Sequence, residues 1–232
     1  MSLFKTTALD CPACARPLSF ETVHSVNADR RPDLRVAILD GSFQRMKCPH
    51  CGASFRLDCD FTLLDIGRGQ WIVAAPVAAI VDWQAREAQA REMFERAYGA
   101  HAPAVAREVG QGLRPRIVFG WPALREKLVV ADLGLDDVAL EAVKATVLRS
   151  SGPIPGRAVA ELRLVAADGD QLLLAWQRSY DGAAGDVLSA PRALHDQIVA
   201  DAAGGWAAFR ADFEGALFVD LKRELVRGRQ AA

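Results

Sequence analysis

Two short sequences, Cys11-Pro12-Ala13-Cys14 and Cys48-Pro49-His50-Cys51, constrain this chain more than any other feature. Each sets two thiols two residues apart, with proline directly after the first. In such a turn the intervening backbone N–H groups point at the sulfurs and help spread thiolate charge. Gly52 suits the left-handed conformation that often closes the turn, and Ala15 holds the matching place after Cys14, where a side chain carries strain. Two matched turns supply four thiolates, the ligand set of a closed tetrahedral structural site. Cys11, Cys14, Cys48 and Cys51 are therefore the expected metal ligands. The gap between the pairs exceeds the commonest zinc spacing and leaves room for a strand, a loop and a return.

Three other readings compete with zinc. A redox C-x-x-C needs only one pair, and this chain has two. A disulfide framework belongs to oxidising compartments. Here the first residues, "MSLFKTTALDCPAC", contain no apolar stretch of signal-peptide length. The most apolar run, "WIVAAPVAAIVDW", is broken by Pro76 and is shorter than the roughly 18 to 20 residues of a membrane span. The expectation is a cytoplasmic protein without a membrane span. One iron atom is the serious rival, since four thiolates hold it in the same geometry. Zinc is preferred as the usual occupant of structural four-cysteine sites.

In "ASFRLDCDFTLLD" apolar residues alternate with polar ones from Ala53 to Leu63, which predicts a half-buried strand. Cys59 falls on its apolar face and reads as a small core residue, not a ligand. His50, between two ligands, points away from them.

The two turns, the segment "HSVNADRRPDLRVAILDGSFQRMKCPHCG" and the alternating strand after it together resemble the CpXC family of prokaryotic zinc-ribbon proteins. In that family an asparagine ends the first strand, here Asn27. A short acidic-leaning helix follows, here "PDLRVAILDG", and an aromatic residue precedes the second turn, here Phe43. "GWPALREKLVV" and "GLDDVALEAVK" also look like the family's downstream region. The resemblance implies metal-ligand roles for the same four cysteines, with Ala15 departing from the usual glycine. It implies a fold and no activity.

The expected architecture is α+β. An N-terminal four-cysteine zinc ribbon, β-rich with one inserted helix, joins a mixed α+β C-terminal region. The boundaries expected are a ribbon over residues 1–80, a helical region with a short strand over 81–150, and an α+β region with a hairpin over 151–232. Strands are expected at "LSFETVHSV", "SFRLDCDFTL", "QWIVAA" and "LRPRIVFGW". A helix is expected at "QAREAQAREMFERAYG", with Glu87 and Arg91 on a solvated face and Trp83, Met93, Phe94 and Ala97 on the other. Two more start at Pro122 and at "GLDD". "SGPIPG" reads as a break between modules. Beyond it come a hairpin turning at Asp168-Gly169, a helix entered at Ser189, and a final strand on Leu217, Val219 and Leu221.

Nothing in the chain announces catalysis. It has no G-x-S-x-G, H-E-x-x-H or G-x-x-x-x-G-K-[ST]. Asp136 and Asp137 read as acids at a helix start, and Glu141 lies on the same helix. His101 and His195 face no nucleophile, and the His195 and Asp196 side chains are expected to point apart. A closed four-thiolate zinc also lacks the open position that hydrolysis needs. The chain is expected not to be an enzyme.

Two binding functions remain. One is a protein-interaction or adaptor module, with Trp121 and Trp176 as candidate interface groups. The other is nucleic-acid binding through Arg30, Arg31, Arg35, Arg45 and Lys47. Asp29, Asp33 and Asp40 dilute that basic set, and the whole chain carries 28 basic against 29 acidic side chains. The balance favours a protein partner over a phosphate backbone.

Overall fold

Alternating or continuous apolar stretches give this chain its strands, and which strand pairs with which decides where the cysteines end up. The structure is a computed structural model that describes residues 2–58, 60–150, 160–178, 184–201, 204–223 and 226. Strand β1 (Leu3–Asp10) and β2 (Pro17–Asn27) form an antiparallel hairpin, and helix α1 (Pro32–Asp40) follows. A small hairpin, β3 (Arg45–Lys47) and β4 (Ser54–Arg56), comes next. Then run β5 (Phe61–Asp65), β6 (Gln70–Ala75), α2 (Trp83–Tyr98), α3 (Ala104–Gln111) and β7 (Arg114–Phe119). Helices α4 (Trp121–Asp132) and α5 (Asp137–Ser150) lead to β8 (Ala160–Asp168), β9 (Gln171–Arg178) and β10 (Ala184–Pro191). Helices α6 (Arg192–Ala200) and α7 (Ala207–Ala211) follow.

The main sheet has the order β1-β2-β5-β6-β7, and a second sheet has the order β10-β9-β8. Strand β7 lies parallel to β6, Gln70 opposite Arg114 and Ala75 opposite Phe119, so pairing joins residues on both sides of position 80. Against the main sheet pack α1 and α4, around Val23, Val26, Ile38, Leu63, Ile72, Leu124 and Leu128. Phe43, Phe61 and Trp121 meet there with ring centroids 5.5 to 5.8 Å apart. Trp121 and Trp176 are both buried, so neither is an interface group.

The expected strand over residues 54–63 is two. β4 pairs with β3 in the small hairpin, whereas β5 pairs with β2 and β6. Cys59 and "SGPIPG" lie outside the described residues. Strand β1 is not among the expected strands; it sits at the sheet edge with almost no buried side chain, so it has no apolar stripe to reveal it. The second hairpin turns at Gly169-Asp170, one residue later than expected, because Asp168 still pairs with Gln171. Ser189 belongs to β10, and the helix begins at Arg192.

Residues 217–221 form no strand. The carboxylate of Glu87 accepts the N–H groups of Leu217 (2.5 Å) and Phe218 (3.0 Å), which a sheet ladder would use. Glu87 is thus a structural acceptor as well as a partner of Arg91, and α2 buries Trp83 and Ala90 while Met93 and Ala97 stay exposed.

A buried set of charges clasps this segment to α4, α5 and β8. Glu126 receives Lys144 Nζ at 3.1 Å on both oxygens, Arg163 Nη1 at 2.7 Å and the Leu164 N–H at 2.8 Å. Arg163 also donates to Asp220 at 2.6 Å and to Glu161. All of these side chains are buried. Buried ions persist only when paired and hydrogen-bonded, and here each has several partners.

Candidate metal centre

Each C-P-x-C turn crosses the end of a hairpin, and the two ends have the same backbone bonds. At the β1–β2 end, Cys11 N–H donates to Arg16 O (2.9 Å) and Ala15 N–H to Cys11 O (2.8 Å). At the β3–β4 end, Cys48 N–H donates to Ala53 O (2.8 Å) and Gly52 N–H to Cys48 O (2.9 Å). Ala15 (φ 55°) and Gly52 (φ 73°) both adopt the left-handed conformation. The strain expected at Ala15 is present.

The hairpins bring all four sulfurs together, within 4.8 Å of one another. Cys11 Sγ lies 3.8 Å from Cys51 Sγ, and Cys14 Sγ lies 3.8 Å from Cys48 Sγ. Metal–sulfur bonds of about 2.3 Å in a tetrahedron put neighbouring sulfurs about 3.8 Å apart, whereas a disulfide needs about 2 Å. The donor set fits one thiophilic ion. Cys11 and Cys48 are buried and pack with Leu18, flanked by Leu9, Cys14, Met46 and Phe55. This small cluster is distinct from the main core.

The electrostatics also fit a cation. Burial opposes the Cys48 thiolate, but N–H groups of Cys51 and His50 and the neighbouring thiols outweigh it and lower its pKa to about 6. The His50 N–H stands 3.4 Å from Cys48 Sγ. At Cys51 the Ala53 N–H favours the thiolate, yet burial and the other three thiols push it up to about 12. Four sulfurs this close cannot all ionise without a positive ion among them.

The small hairpin is tied to the body by Arg56. Its guanidinium lies 3.7 Å from the Trp121 ring centroid, and Nε donates to Phe43 O at 2.8 Å. A stacked, partly desolvated cation of this kind is a strong contact for its size.

The other candidate groups do not converge. Asp136 caps α5 by accepting the Ala139 N–H at 2.8 Å. Asp137 does more than begin a helix. It accepts from Arg116 (2.7 and 3.0 Å) and Lys127 (2.9 Å), which overcome burial and hold its carboxyl far below the usual range. Glu141 pairs with Lys144 at 2.7 Å, and burial pushes its carboxyl up to about 7. His101 is exposed. His195 is buried, with Nε2 accepting the Asp136 N–H (3.0 Å) and Nδ1 2.9 Å from Asp196 Oδ1. Those two side chains therefore meet. Their contact holds the ring whose Nε2 accepts the Asp136 N–H. Of the basic residues near the ribbon, Arg35 is buried on Asp65 (2.9 Å) and Asp132 (2.8 Å), and Arg31 is paired with Asp33. Sequence pattern gives no sign of Glu126, Lys144, Arg163 or Asp220 as an internal cluster, because a charge on a helix or strand normally signals solvent.

No helix among the described residues is long and apolar enough to cross a membrane. The family model described as CpXC protein matches residues 9–144, more than half of the chain and all four of these cysteines. No curated protein and no solved structure matches.

Proposed function

The chain belongs to the CpXC protein family, and from that premise we propose that it is a cytoplasmic, non-catalytic zinc protein whose ribbon serves as a protein-interaction or adaptor module. Cys11, Cys14, Cys48 and Cys51 would hold one structural zinc. The observation that carries this reading is the closed set of four sulfurs, spaced as a tetrahedral thiolate site requires. Four protein ligands leave no open position for water or substrate, which argues for a structural ion over a catalytic one.

A protein partner is favoured over nucleic acid by the fate of the basic residues. Arg35 is spent inside the fold and Arg31 on Asp33, which leaves Arg30, Arg45 and Lys47 of the five basic residues near the ribbon exposed, a short set for tracking phosphates. Leu3 and Phe4, in contrast, stand exposed on the edge strand that leads into the first turn. An edge strand with exposed apolar groups is a recurrent docking feature.

The metal claim predicts one zinc per chain by elemental analysis of colourless protein, since a ferric four-thiolate site is red. Cys48→Ser should expel the metal and unfold the ribbon. A Cys48→Ser protein that keeps stoichiometric zinc and its melting temperature would sink the claim. The adaptor claim is tested by a tagged pull-down from the native host, with and without nuclease. Partners that survive nuclease support it, and partners lost with the nucleic acid refute it.

A further inference from the structure

The parallel strands β6 and β7 begin side by side, and their first residues form one wall of a cleft of about 570 Å³. The opposite wall is the end of α4 and the turn into α5, from Lys127 to Asp137. None of the four cysteines lines it. We propose that this cleft binds a small organic anion, a phosphate or carboxylate carried on a molecule that also offers an O–H or N–H donor.

Size comes first. The volume lies within the range of pockets that enclose metabolite-sized ligands. Charge points the same way. Four cationic side chains line the cleft, Arg68, Arg114, Arg116 and Lys127, against the single carboxylate of Asp137. Arg116 and Lys127 share that carboxylate, so the trio keeps one positive charge in excess. Arg68 is matched by Asp132 at 2.6 Å. The Arg114 guanidinium is exposed and has no side-chain partner among the described residues. Arg114, Gly134 and Leu135 also line an adjoining cleft, so this free cation stands where the two meet. An unpaired guanidinium beside an excess of buried positive charge is a ready partner for a dianion.

Gln70 supplies the second, independent observation. It lines the cleft and is about nine-tenths buried. Its Nε2 donates to Lys127 O at 2.8 Å, which fixes the amide orientation. The carbonyl oxygen Oε1 is then an acceptor, and it has no partner among the described residues. A buried acceptor without a donor is costly, and because Oε1 is closed off from solvent as it stands, a ligand hydroxyl or amine relieves that cost with a small shift of the amide towards the cleft. The wall beside it is bare backbone. A side chain at Gly69 (φ 62°) would put its Cβ 2.7 Å from Gly112 O, so this approach admits only glycine.

The test is calorimetric titration of the zinc-loaded full chain at low salt with glycerol 3-phosphate, malate and inorganic phosphate. One hydroxylated anion should bind at one per chain and more tightly than inorganic phosphate, and whichever of the two binds tighter identifies the anionic group. Arg114→Gln, at an exposed position that spares the fold, should weaken it about tenfold or more, the usual scale for losing a charge-assisted hydrogen bond. Arg96→Gln, on α2 and away from the cleft, should leave it unchanged. No binding of either organic anion at millimolar concentration would overturn the proposal. So would equal losses in the two variants, which would mean general charge attraction.

Discussion

Ala15 and Gly52 close the two metal turns in the same left-handed conformation with the same hydrogen bonds, yet only one of them is glycine. A left-handed L-residue costs about 1–2 kcal/mol, and glycine costs about 0.5–1 kcal/mol in unfolded-state entropy. Strain is the greater of these two costs, so Ala15→Gly should stabilise its turn by about 0.5–1 kcal/mol. Gly52→Ala should cost a similar amount. The space at Gly52 is open, with Lys47 Cε at 3.8 Å the nearest atom to an added Cβ, so no clash inflates that figure. With the proposed zinc, binding of the metal and folding of the turns would be one equilibrium, and these energies would become shifts of about two- to fivefold in zinc affinity. Competition against a chromophoric chelator reads them directly. Tighter binding by Ala15→Gly, weaker binding by Gly52→Ala and near-parental binding by the double variant are expected. Equal or weaker binding by Ala15→Gly would refute the reasoning, because strain at position 15 would then not be felt by the site.

Arg163→Met should destabilise the fold by about 3–5 kcal/mol in chemical denaturation, since Glu126, Glu161 and Asp220 lose a shared cation. A loss below about 1 kcal/mol would show that the clasp is energetically neutral. The folded pKa of Glu141, near 7, lies above its free value, so the protonated form is favoured and stability falls as pH rises from the free value towards 7. Glu141→Gln should flatten that part of the stability–pH curve, and an unchanged slope would assign the pH dependence elsewhere. Removing the metal with a chelator should expose amides of residues 9–18 and 45–56 to hydrogen exchange while β5, β6 and β7 stay protected. Uniform loss of protection would mean that the ion supports the whole fold.

The four-cysteine cluster was legible because its signal is local: two residues between thiols fix a turn, and two matching turns point to one shared site. The inserted helix was expected from the family resemblance, and in the structure Pro32 opens it and Gly41 (φ 82°) closes it. What failed was partner choice. The alternation from Ala53 to Leu63 is continuous in the sequence, but β4 belongs to the small hairpin and β5 to the main sheet. Leu217 and Val219 alternate like a strand, yet a carboxylate from α2 takes the N–H groups at 217 and 218. The charged clasp was illegible because neither Glu126 nor Arg163 reveals by itself that it also has partners 18 to 57 residues away.

The separation of the two apolar clusters bears on how the ribbon could work. Strand β2 belongs to both, with Leu18 at the cysteines and Val23 and Val26 in the main core. It therefore carries the metal turn away from the body on a paired, rigid element, while Arg56 on Trp121 braces the small hairpin from the other side. The three buried residues at the turns are Cys11, Leu18 and Cys48, and two of them are thiols. So little apolar burial cannot order two loops, and under the proposed zinc site the stability of the tip would rest on the metal–sulfur bonds. A partner that docks on the tip would then meet a formed surface only when the ion is present, whereas the Arg114 cleft, built on β6, β7 and α4, would keep its shape without it.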